Sequence, residues 1–145
     1  ALEKARAVTE VLGVPAIADD SGIEVDALDG GPGPRSARFA GEGASDADNL
    51  AKLIGLVADM EPDARMALYR CVAAIAWPDG RTMHAEGTCE GALIGQPRGD
   101  RGFGYDPVFV PQGERRTMAE LGDEEKDRIS HRGRAFRALA ELLAA

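Results

Sequence analysis

Two apolar stretches of similar length, residues 65–77 and 81–94, face each other across the turn Pro78-Asp79-Gly80. Alanines in the first stretch leave a helix open. Tyr69, Cys71, Val72, Ile75 and Trp77 argue against it, because aromatic and β-branched residues suit a pleated, half-buried surface. Strand, Pro/Asp/Gly turn and strand together predict an antiparallel hairpin. The hairpin therefore favours a mixed sheet over a purely parallel one.

Around the hairpin the sequence mixes helices and strands without strict βαβ alternation. Residues 1–12 read as a helix with Leu2, Ala5, Val8 and Leu12 on one face and Gly13 as its stop. Nothing before Ala1 caps it. Pro15-Ala16-Ile17-Ala18 reads as a short buried strand ending in Asp19-Asp20-Ser21-Gly22, and Ile23–Leu28 alternates apolar with acidic residues like a second, half-exposed strand. Glycines and prolines crowd residues 29–44, a long functional loop that Arg35, Arg38 and Phe39 interrupt. Ser45, with Asp48 three residues on, caps a helix striped by Leu50, Leu53, Ile54 and Val57. Val108-Phe109-Val110 is a short strand. Thr117 and Glu120 form a capping box, Gly122 ends that brief helix, Asp123 caps the next, and Ser130 caps the last. Phe136, Leu139, Leu142 and Leu143 give the last helix its buried face. The expected class is α/β, a long mixed sheet with flanking helices.

Length and charge bound the possibilities. The chain has 145 residues, 44% of them hydrophobic, enough for one domain with a substantial core and no disulfide staples. Cys71 and Cys89 match no zinc spacing and lie in apolar runs, so they read as reduced core thiols of a cytoplasmic protein. A net charge of −8 argues against polymeric nucleic acid or an anionic membrane as partner, and no apolar run is long enough to span a membrane. It leaves room for a small anionic ligand in a local basic pocket.

Three constellations could carry chemistry. In Asp19-Asp20-Ser21-Gly22, strand alternation sends the two carboxylates to opposite faces. One could hold Mg²⁺ or take a proton from water, or the run could be an Asx-turn. In Gly102-Phe103-Gly104-Tyr105-Asp106-Pro107, Phe103 and Tyr105 offer flat faces for a base, and Asp106 could accept from ring N–H groups. The alternative is a tight aromatic–glycine corner. Lys126, one of three lysines among 17 basic residues, precedes Ser130-His131-Arg132-Gly133. The free N–H groups of a helix start and the planar donors of Arg132 suit electronegative atoms. A solvated basic patch opposite Asp123-Glu124-Glu125 is the other reading. No P-loop, no nucleophile elbow and no dinucleotide fingerprint occurs.

Taken in order, these runs resemble the inosine/xanthosine triphosphate pyrophosphatase family. Ala16–Gly22 is similar to its hallmark, Gly31–Gly41 to its next loop, Gly102–Pro107 to its base-binding segment and Ser130–Gly133 to its C-terminal signature. The resemblance implies a two-lobed α/β fold, usually a homodimer. It also implies Mg²⁺-dependent cleavage of aberrant purine nucleoside triphosphates (ITP, dITP, XTP) to a monophosphate and pyrophosphate. It implies Asp20 as metal ligand and proton acceptor and Ser21 as a substrate contact. Phe103, Gly104, Tyr105 and Asp106 would wrap the base, and Lys126, His131 and Arg132 would complete its pocket. The family's N-terminal strand, its Ser/Thr-x-Asn-x-x-Lys triphosphate loop and an acidic residue before the first helix have no counterpart in these 145 residues. The expectation is a single domain lacking that segment, and with it a fragment whose activity is open. Two other functions stay in view: a different Mg²⁺-dependent phosphohydrolase, and a non-catalytic nucleotide-binding module.

Overall fold

A computed structural model describes residues 1–145. The hairpin is its centre. Strands β3 (Met66–Ala76) and β4 (Thr82–Leu93) pair antiparallel from Met66 opposite Ala92 to Ala76 opposite Thr82. Strand β1 (Ala16–Val25) lies along the other edge of β3, with Ala16 opposite Ala76 and Val25 opposite Ala67. Short strands β2 (Gly31–Pro32) and β5 (Phe109–Pro111) complete the order β2-β1-β3-β4-β5.

Two expectations change here. Asp19-Asp20-Ser21-Gly22 does not end a strand: one ten-residue strand runs through it, and the Asx-turn reading falls. Locally favourable turn chemistry yields to ladder pairing with all of β3. Gly22 sits inside the strand because a Cβ there would overlap the carbonyl of Gly33. In addition, all four strand pairings are antiparallel, where mixed directions were expected. The excursion through helix α2 (Asp46–Val57) returns the chain to the C-terminal end of β1, where β3 begins. Helices flanking a long sheet match the expected class.

Residues 29–44 are more ordered than a loop. A 3-10 helix, Gly33–Arg38, is pinned to β1 by the Ser36 hydroxyl, which accepts from Ile23 N–H (2.9 Å) and donates to the Gly33 carbonyl (2.6 Å). Buried Asn49 of α2 accepts from Ala40 N–H (2.8 Å) and donates to the Ala37 carbonyl (2.9 Å). The capping residues behave as local chemistry dictates. Ser45 and Asp48 bond reciprocally at α2, Thr117 and Glu120 frame the 3-10 helix Met118–Glu120, and Ser130 accepts from Gly133 N–H (3.0 Å). Asp123 is not a cap but the first residue of helix α3 (Asp123–Ile129), behind Gly122.

Both terminal helices are rotated from their expected faces. Helix α1 (Leu2–Leu12) buries Ala5 and Thr9, leaving Val8 and Leu12 exposed. Thr9 donates its hydroxyl to the Val14 carbonyl, and Gly13, at φ +67°, closes the helix. Helix α4 (His131–Ala144) buries His131, Ala135 and Leu139, while Leu142 and Leu143 are exposed and Phe136 is half-buried. Gly87 of β4 explains this, since a Cβ there would overlap the His131 carbonyl and the Ala135 nitrogen. The helix backbone rests on the sheet at that glycine, and small side chains flank the contact.

Two apolar clusters result. One gathers Ile23, Val25, Tyr69, Phe109, Met118 and Leu121 with Leu53 and Val57 of α2. The other joins Cys71, Ala73 and Ile75 to Ala135 and Leu139 of α4. Cys71 and Cys89 are buried free thiols, as expected. No helix is long and apolar enough to cross a membrane.

Candidate active site

A cavity of about 530 Å³ opens beside the start of α4, where His131 stacks on Tyr69 of β3. Its walls include Ser21, Phe103, Gly104, Tyr105, Asp106, Lys126, His131 and Arg132. Elements far apart in sequence thus converge on one place. Strand β1 brings Ser21, the loop before β5 brings residues 103–106, α3 brings Lys126, and the first turn of α4 brings His131 and Arg132.

Asp106 organises this pocket. It is buried, and its Oδ1 accepts from the Tyr69 hydroxyl at 3.0 Å. Its Oδ2 accepts from Lys126 Nζ at 2.6 Å and from Phe103 N–H at 3.1 Å. Gly102, at φ +72°, makes this possible, because a Cβ there would overlap the carboxylate. Asp106, expected to accept from a base, already accepts from three of the protein's own donors. Lys126 is not part of a solvated patch. It spans Asp106 and the face of Phe103, 4.9 Å from the ring centroid. The acidic run finds another partner, as Glu125 pairs with Arg116 at 2.6 Å.

The two aromatics of the loop differ. Phe103 is 67% exposed, which leaves its side chain available for stacking. Tyr105 is buried, and its hydroxyl donates to the Ser36 carbonyl at 2.6 Å. Burial, with Asp46 nearby, pushes this phenol up to about 12. Gly104 N–H donates to Asp46 Oδ2 at 3.1 Å, tying the loop to the start of α2.

His131 is stacked on Tyr69, with centroids 4.5 Å apart and planes 10° from parallel. Burial drives its pKa down to about 4, against an opposing pull from Asp106. It is neutral at pH 7, and its buried Nδ1 has no partner in the protein. This sets a pH dependence. The unfolded imidazole titrates near 6.5 and the folded one near 4, so the unfolded chain binds more protons between those values. Stability is full above pH 6.5 and falls as pH drops toward 4, by on the order of 3 kcal/mol. Urea unfolding at pH 7 and pH 4.5 measures it, and His131→Phe removes this component of the slope.

Alternation along β1 separates the two aspartates. Asp19 faces the cavity side, where its Oδ2 accepts from Arg132 Nε at 3.3 Å. Asp20 points to the opposite face, outside the cavity lining, half-exposed and ion-paired with Lys4. Hydrogen bonding from Lys4 holds its carboxyl below the usual range, so it is ionised at neutral pH. The structure therefore gathers eight of the nine anticipated residues around one cavity and sets Asp20 behind the strand that forms its wall.

A Ham1 family profile matches residues 1–142. The chain belongs to the Ham1 family. It is 51% identical over 143 residues to a protein of Desulforamulus reducens named dITP/XTP pyrophosphatase, covering 99% of this chain and 71% of that one. It is likewise 51% identical to the dITP/XTP pyrophosphatase of Streptomyces coelicolor, over 99% of this chain and 72% of that one. Among solved structures, the Ham1 protein of Staphylococcus aureus superimposes with a TM-score of 0.91 at 41% identity, over 99% of this chain and 74% of the other. Nucleoside-triphosphatase / dITP/XTP pyrophosphatase from Mycobacterium abscessus gives 0.81 at 45%, over 99% and 73%.

In this Ham1 chain no three His, Cys, Asp or Glu side chains cluster as a metal cage. Asp20 is a single ionised, half-exposed oxygen donor. It fits a hard cation that arrives with phosphates and keeps its waters, since Mg²⁺ is commonly held by one or two carboxylates plus substrate. It does not fit an ion caged by protein alone. Tyr69 and Asp46 line the cavity and are site residues that sequence reasoning missed. Only Tyr69 carried a signal, an aromatic with a polar tip inside an Ala-rich strand.

Proposed function

We propose that the protein hydrolyses aberrant purine nucleoside triphosphates (ITP, dITP and XTP) to the monophosphate and pyrophosphate, clearing them from the nucleotide pool. One observation carries the reading: Lys126 and Arg132 bring N–H donors to one cavity beside the exposed side chain of Phe103. Asp106 already accepts from Tyr69, Lys126 and Phe103 N–H, while Lys126, with further N–H groups, and Arg132, with terminal nitrogens bonded to no protein group, are available as donors. Hypoxanthine and xanthine present a carbonyl at position 6, which such donors match. Adenine presents an amine there, and a donor left unpaired costs about 1–3 kcal/mol. The names of the relatives point to the same substrates.

In this mechanism Phe103 stacks on the base, and Arg132 and Lys126 donate to its carbonyl. Neutral His131 keeps a second like charge from building up beside Lys126. Ser21, on the same strand as Asp20, contacts the nucleotide between base and phosphates. Asp20 takes the proton of the water that attacks the α-phosphorus, and pyrophosphate leaves. A bound Mg²⁺ supplies charge neutralisation and phosphate polarisation, and Asp20 is the residue that would hold it.

Two free buried thiols suit a reducing compartment and support a cytoplasmic place of action. The family resemblance supports a homodimer. The net charge of −8 supports a small nucleotide over a nucleic-acid polymer. The test is kcat/KM for ITP, XTP, GTP and ATP under Mg²⁺. Values for ITP and XTP at least about tenfold above that for ATP are expected. Equal values for all four would refute these donors as the source of selectivity.

A further inference from the structure

Asp19 has no role in the scheme above, yet it is the residue through which β1 touches the base-reading helix. We propose that Asp19 is a positioning residue for base recognition, holding the Arg132 guanidinium by its Nε so that both terminal nitrogens are left for the purine. This inference rests on the proposed substrate class and adds to it the device that aims the discriminating donor.

The geometry is specific to Asp19. Strand alternation puts it on the cavity side, next in line with Ser21, and its side chain is 26% exposed against 49% for Asp20. Its Oδ2 accepts from Arg132 Nε at 3.3 Å and from the Cys71 thiol at 3.8 Å, so the carboxylate is itself braced from β3. Arg132 makes no other side-chain hydrogen bond, and its guanidinium lies 5.3 Å from the Phe136 ring centroid. One edge and one face of the fork are thus fixed, while the two NH₂ groups remain unengaged. A planar guanidinium held at Nε keeps its two terminal NH₂ groups fixed in direction and free to donate from the far side. The link joins positions 113 residues apart, β1 and the first turn of α4. Because Asp20 is the next residue on β1, the strand that aims the base-reading arginine is also the strand that carries the proposed catalytic carboxylate.

A double-mutant cycle tests this, with inosine monophosphate binding by calorimetry beside ITP turnover. Asp19→Asn is expected to raise KM for ITP and weaken inosine monophosphate binding by about fivefold, with kcat within about twofold. Asp19→Glu, which keeps the charge, recovers part of the loss. In an Arg132→Ala background, Asp19→Asn changes either quantity by less than about twofold, because its partner is gone. The Mg²⁺ concentration for half-maximal activity stays unchanged. Additive effects in the cycle, or a shift in Mg²⁺ dependence marking Asp19 as a metal ligand, would overturn the proposal. So would failure of both Asp19→Asn and Asp19→Glu to fold, which would mark a structural residue. A wild-type protein that binds inosine monophosphate without releasing pyrophosphate would refute the activity alone, and the binding arm would still decide Asp19.

Discussion

Asp20→Asn lowers kcat for ITP by about 10³-fold and leaves the melting temperature within a degree or two of wild type. The size follows from the role. A carboxylate that accepts the proton of an attacking water contributes roughly 10²–10⁴-fold, and an amide of the same shape cannot replace it. The small effect on stability follows from position. The side chain is half-exposed, lies outside both apolar clusters, and its side-chain partner is Lys4. Exposed pairs of that kind contribute little to folding. Steady-state kinetics with a thermal melt of the same preparation checks both halves. A large melting loss with proportionate loss of activity would mean that Asp20 is structural.

Asp106→Ala behaves in the opposite way. It strips three donors of their acceptor at once: the Tyr69 hydroxyl, Lys126 Nζ and Phe103 N–H. Removing one member of a buried ion pair leaves a desolvated charge and costs about 3 kcal/mol or more. For a domain of this size that corresponds to a fall of roughly 10 °C in melting temperature. The loop bearing Phe103 also loses its anchor, so KM for ITP rises. Differential scanning calorimetry of Asp106→Ala, Lys126→Met and the double variant measures the coupling. The double variant should be more stable than Asp106→Ala alone, since no unpaired ammonium remains. If the two single losses simply add, the pair is not the organising contact described above.

What the sequence made legible was local chemistry. Ser45 with Asp48, Thr117 with Glu120, and Ser130 ahead of α4 are caps whose bonds close within three residues, and each is where its residue type places it. The hairpin Met66–Leu93 follows from composition and a turn. The convergence of Ser21, Phe103, Lys126, His131 and Arg132 on one cavity followed from the order of motifs rather than from any one of them. What was hidden depended on distant partners. Asp19–Gly22 carries good turn residues, but β3 offers pairing along its whole length, and tertiary structure overrides local preference. Leu142 and Leu143 point outward because Gly87, on another element, decides which side of α4 rests on the sheet. Tyr105 and Asp106, expected as base contacts, are also held from afar, Tyr105 by Ser36 and Asp106 by Tyr69. No spacing rule reaches across 69 or 37 residues to reveal such bonds.

The central claim is that the bond broken lies between the α- and β-phosphates of an oxo-purine nucleotide. Phosphorus NMR of the protein incubated with ITP and Mg²⁺ reads this directly. The account predicts inosine monophosphate and pyrophosphate in equal amounts as the first products. Orthophosphate with inosine diphosphate would place the cleavage at the γ-phosphate and contradict it.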